Sequence, residues 1–91
     1  MKSIEMIRFT EKASDGNVSL VGEITVSDAL TRLAAYEDLL EALLAAQDAI
    51  PGDLEQLKVA GKEKSVRYKE LLGEKLLNNH AIALFRNHEL I

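Results

Sequence analysis

Few side chains here are of a type and spacing to do chemistry. His80 and His88, with Glu89 beside the second, are the obvious metal-ligand types. Eight residues apart, they share a helix face only if one helix runs unbroken through both, and no further histidine and no cysteine completes a coordination sphere. Glu37, Asp38 and Glu41 place carboxylates on neighbouring helical turns, a pairing that serves acid–base catalysis when burial shifts a pKa. They sit at the polar edge of an amphipathic segment, where a solvated face is the plain reading. Tyr36 interrupts an aliphatic stripe and is better placed as a core or interface residue whose hydroxyl needs a partner. No Ser-His-acid order, G-x-S-x-G, G-x-x-x-x-G-K or G-x-G-x-x-G occurs. The residues predict no enzyme, no metal and no cofactor.

A second chemistry is phosphate contact. Lys62, Lys64, Arg67, Lys69 and Lys75 fall in one basic third of the chain, and a break at Asn78-Asn79 would make this third a compact helix–turn–helix. Glu63, Glu70 and Glu74 are interleaved with these bases, and the second helix would carry only Arg86 toward base edges. Nucleic-acid binding is therefore the alternative reading and not the favoured one.

Composition bounds the rest. Ninety-one residues, 47% apolar and 29% charged, make one modest domain over residues 1–91. Two Phe, two Tyr and no Trp leave an aliphatic core and no platform for stacking nucleobases. The net charge of −4 is uneven: residues 23–57 carry eight acids against Arg32 alone, whereas residues 58–91 carry seven bases against four acids. Those two regions can attract each other within or between chains. The absence of cysteine, of a cationic segment followed by an apolar core at the N-terminus, and of an apolar run near ~20 residues predicts a cytoplasmic protein with no membrane span.

The element that must position these side chains is the stretch Thr25–Gln47. Ala29, Leu33, Tyr36, Leu40 and Leu43 alternate steps of four and three, so they line one stripe of a helix. Leu30, Leu39 and Leu44 widen the stripe. Thr25 and Asp28 have the spacing of a capping box, with Ser27 as a rival cap, and Pro51-Gly52 predicts the end at residue 50. A helix of about 20 residues is about 30 Å long, as long as a 91-residue globule is wide. The remaining segments look too short to cover it. We expect a second copy to do so, with Leu33, Tyr36, Leu40 and Leu43 as the interface of a homodimer built on an antiparallel helix pair.

Around that helix, residues 1–24 predict a β-hairpin, of roughly Ile4–Lys12 and Asn17–Val21, turning at Asp15-Gly16. Residues 53–91 predict two or three shorter helices. Asp53 caps the first, Leu54–Ala60, which Gly61 closes. Ser65 caps the next, with Tyr68, Leu72 and Leu76 on one line, Leu71 beside them, and Gly73 costing about 1 kcal/mol relative to Ala. Asn79 caps the last, His80–Asn87. The fold class is α+β, mainly α.

Arg32-Leu33-Ala34-Ala35-Tyr36-Glu37-Asp38, with Arg8-Phe9-Thr10-Glu11-Lys12 upstream and the stretch 61–90, resembles a class of small uncharacterised proteins from phages and prophages of Gram-positive bacteria. Leu39 and Leu40 continue the helix where such proteins often follow Y-E-D with T-G-L-x-P-E-E. The resemblance implies an accessory protein of mobile DNA in the host cytoplasm and brings no functional residues with it. Together these observations predict a non-catalytic, self-associating adaptor whose partner is a second copy or a phage or host protein.

Overall fold

The computed structural model describes residues 4–91; the first three residues of the predicted hairpin segment lie outside them. Two short strands, β1 (Thr10–Lys12) and β2 (Val18–Leu20), precede two helices, α1 (Val26–Val59) and α2 (Val66–Asn87). The fold is mainly helical with an N-terminal antiparallel hairpin, as expected, but the hairpin is shorter than expected: residues 4–9 are not strand, and β1 begins only at Thr10. The chain divides into two compact units, Met1–Tyr36 and Glu37–Ile91, and the division falls inside α1.

In the first unit, β1 and β2 pair in the register Thr10 to Leu20 and Lys12 to Val18. The turn is built by Asp15 and Gly16: Asp15 Oδ1 accepts from the Asn17 backbone N–H at 2.9 Å, and Gly16 takes φ +89°, open to glycine at no steric cost. The ladder continues to the Val21 N–H, which donates to the Phe9 carbonyl at 3.0 Å. Helix α1 then begins on the predicted capping box. The Thr25 N–H donates to Asp28 Oδ2 and the Asp28 N–H donates to Thr25 Oγ1, both at 3.0 Å. The cap has an electrostatic signature: the Thr25 N–H, then the Thr25 side chain, hold the Asp28 carboxyl below its ordinary value. Arg32 ties the hairpin to α1. Its guanidinium donates to the Ile7 carbonyl and lies 3.5 Å from the centroid of the Phe9 ring.

In the second unit, α1 and α2 form an antiparallel helical hairpin. Ile50 and Leu54 of α1 close on Leu71 of α2, with Ala46, Leu57 and Tyr68 packed around them. Gln47 Nε2 donates to Asn79 Oδ1 at 3.4 Å, one step further from the connector. The connector is a Schellman turn: the Lys62 N–H donates to the Leu57 carbonyl at 2.8 Å and the Gly61 N–H to the Lys58 carbonyl at 3.0 Å, with Gly61 at φ +72°. Ser65 caps α2, its Oγ accepting from the Tyr68 N–H at 3.1 Å.

Two predicted breaks are absent, so two helices stand where three or four were expected. Helix α1 does not end at residue 50: it runs through Pro51 and Gly52 to Val59, and no separate helix starts at Asp53. Pro51 is exposed, while Ile50 and Leu54 on either side of it are buried. Keeping those two on one face outweighs the lost backbone hydrogen bond. Helix α2 is likewise continuous through Asn78 and Asn79. Its inward line is the buried Leu71 and Ile82 with the half-buried Asn78 and Phe85, in steps of seven, four and three, and along that line the phase is never lost.

Candidate interaction surface

The stripe on α1 is the first candidate, and its cover is partial. Within the first unit, Leu33 is 53% exposed and Tyr36 48%, and Leu30 is exposed too; Ala29 and Arg32 are half-buried. The half-exposed Tyr36 is open to water, which meets its hydroxyl's need for a partner. Within the second unit, Leu39 is half exposed, whereas Leu40 and Leu43 are half-buried. The register of the helical hairpin explains the change. Counting outward from the Gln47–Asn79 hydrogen bond, the fully buried Ile82 stands opposite Leu43 and Leu44, and the end of α2 at Asn87 reaches the level of Leu39. Cover by α2 runs out there.

The carboxylates at Glu37, Asp38 and Glu41 are exposed on α1, as a solvated face would be. The basic residues divide. Lys62 and Lys64 lie in the connector; Lys69 and Lys75 lie on α2 with Arg67, whose guanidinium is 3.8 Å from Glu70 and 4.0 Å from Glu74. Both acids share Arg67's own helix, so part of the basic character is neutralised locally. The helix–turn–helix expected from Asn78-Asn79 does not form, because α2 passes straight through the proposed turn. His80 is exposed on α2, His88 caps that helix, and among the described residues no three of His, Asp and Glu gather to hold a metal.

The sequence reading missed a second apolar face. Of the apolar line expected on α2, Tyr68 packs on the core and Leu71 beside it is buried, at 2% exposure, as is Ile82 at 1%, but Leu72 and Leu76 face outward, and Leu76 and Leu77 are each 71% exposed. With Gly73, His80 and the half-exposed Leu84 they form an outward stripe at steps of three, one, three and four. The signal was present in Gly73, Leu77 and Leu84, which recur at four and seven. The Tyr68–Leu72–Leu76 line has the same helical period, so spacing alone does not separate the two faces.

No helix among the described residues is long and apolar enough to cross a membrane.

No protein-family model, no curated protein and no solved structure matches this chain.

Proposed function

We propose that this chain is a non-catalytic, self-associating accessory or adaptor module of phage or prophage origin, working in the cytoplasm of a bacterial host. One observation carries the reading: α1 presents Leu33, Tyr36 and Leu39 to solvent about half exposed, on the same stripe that α2 covers further along. Leaving such a stripe in water forfeits about 25 cal/mol for each Å² that a partner would cover. A second copy offers the same stripe. An antiparallel helix pair about a two-fold axis is the simplest closed arrangement of two such stripes.

The likeness of Arg32–Asp38 and Arg8–Lys12 to small phage and prophage proteins supports the origin and the cytoplasmic setting.

The test is the mass of Leu33→Asp by multi-angle light scattering. Leu33 is half exposed, so the variant keeps its helical circular dichroism, and its mass falls relative to wild type. An unchanged mass in a folded Leu33→Asp variant removes the stripe from the interface.

A further inference from the structure

We infer that Arg8 makes an autoinhibitory contact on the β-hairpin: its side chain occupies the outer edge of β1 and keeps a further strand from adding there.

The register of the hairpin shows which groups are at stake. The Val21 N–H donates to the Phe9 carbonyl at 3.0 Å and the Ala13 N–H to the Asn17 carbonyl at 2.9 Å, while Glu11 lies opposite Ser19. Bonded residues alternate along an antiparallel strand, so the backbones of Phe9, Glu11 and Ala13 turn toward β2 and those of Thr10 and Lys12 turn away. An added strand would pair with these outward groups. The outward Thr10 carbonyl is already taken. Arg8 Nε donates to it at 2.9 Å, and Arg8 Nη2 donates to Thr10 Oγ1 at 3.2 Å. This two-point contact lays a guanidinium along the edge. Upstream, Arg32 takes the Ile7 carbonyl.

The flanking chain explains why β1 is the edge that carries such a contact. It follows directly on the segment IEMIRF of residues 4–9, in which Ile4, Met6 and Ile7 are exposed. An exposed apolar segment running into an open edge is a template for strand pairing. Strand β2 differs: it has three residues, and turns bound it at Asp15-Gly16 and at Gly22, whose φ is +53°. Shortness alone limits pairing there. Charge adds to the guard on β1. A copy aligned antiparallel with Thr10 opposite Thr10 sets Arg8 against Lys12, two cations directly opposed.

The experiment is amide hydrogen exchange by NMR, with sedimentation velocity, on Arg8→Ala, Arg8→Lys and Lys12→Ala. Each is made in the Leu33→Asp background, so association through the α1 stripe does not enter and the outcome is independent of that reading. Arg8→Ala frees the Thr10 carbonyl. Exchange of the outward Thr10 and Lys12 N–H groups then slows by about tenfold or more as protein concentration rises, and the mass rises with it. Arg8→Lys keeps the charge but lacks the fork that reaches both Thr10 oxygens, and shows a smaller slowing. Lys12→Ala leaves the contact in place and behaves as the Leu33→Asp parent. Unchanged exchange and mass in Arg8→Ala refute the inference. So does an equal response in Lys12→Ala, because charge alone would then guard the edge. The Val21 N–H, bonded to Phe9, reports whether the hairpin is intact. If Arg8→Ala loses that protection, Arg8→Lys decides: slowed Thr10 and Lys12 exchange supports the contact, and unchanged exchange overturns it.

Discussion

Leu71→Ala reports on how little of this chain holds the helical hairpin together. Leu71 is 2% exposed and closes on Ile50 and Leu54, which with Ile82 are the buried hydrophobic residues of the described chain. Truncation removes transfer energy and leaves a cavity, a combination that costs about 2–5 kcal/mol for buried leucines. The ring around it (Ala46, Leu57 and Tyr68) is only partly buried, so it can move inward, and the cost belongs near the lower end at about 2–3 kcal/mol. For a domain of this size each kcal/mol moves the thermal midpoint by about 4–8 °C, so the loss is roughly 10–20 °C. A set of only a few buried residues has little reserve to absorb that. The assay is far-ultraviolet circular dichroism melting at matched concentrations, with Leu77→Ala as the control at an exposed position of the same helix. A midpoint within 3 °C of wild type would refute the assignment of Leu71, and not Leu77, to the intramolecular core.

Three other outcomes follow from local features. The Asp28 carboxyl has a depressed pKa in the folded chain, so its contribution is present above the unfolded value of 3.8 and is lost as pH falls through the lower folded value; Asp28→Ala should melt below wild type at neutral pH, and the gap should close in acid. Pro51 lies inside α1, where proline forgoes a backbone hydrogen bond, so Pro51→Ala should raise stability by about 1–3 kcal/mol in urea titration, and a decrease would mean that the proline shapes the helix that buries Ile50 and Leu54. Glu89 ends α2 at φ +60° as the left-handed residue of a Schellman turn, with the Leu90 N–H donating to the Phe85 carbonyl at 2.9 Å. Glu89→Gly removes the steric penalty and should stabilise by about 1 kcal/mol, read as a higher urea midpoint.

The features legible from sequence were those set by side chains bonding their own neighbours. The Thr25–Asp28 box, the Asp15-Gly16 turn, Gly61 past the end of a helix and Ser65 before one all stand where the residues placed them. Each depends on four or five consecutive residues and nothing distant. The two false breaks share a different cause. Pro51-Gly52 and Asn78-Asn79 are local stop signals, overridden because distant residues gain by keeping one face continuous: Ile50 and Leu54 against Leu71 in the first case, Ile82 in the second. The wrong face of α2 has the same root. A helix with leucines at 71, 72, 76 and 77 has two apolar stripes, and only the neighbour's position decides which is buried. For the α1 stripe the spacing located the residues, but their exposure follows from where α2 ends, and that depended on the missed continuity of both helices.

If copies of the chain cover for one another the apolar stripe that α1 leaves half exposed, sedimentation equilibrium of the wild-type chain from low to high micromolar concentration will give a mass above that of the 10.1 kDa protomer, rising with concentration to a closed multiple of it. A mass of one protomer across the whole range, in a chain that melts cooperatively and independently of concentration, would contradict it.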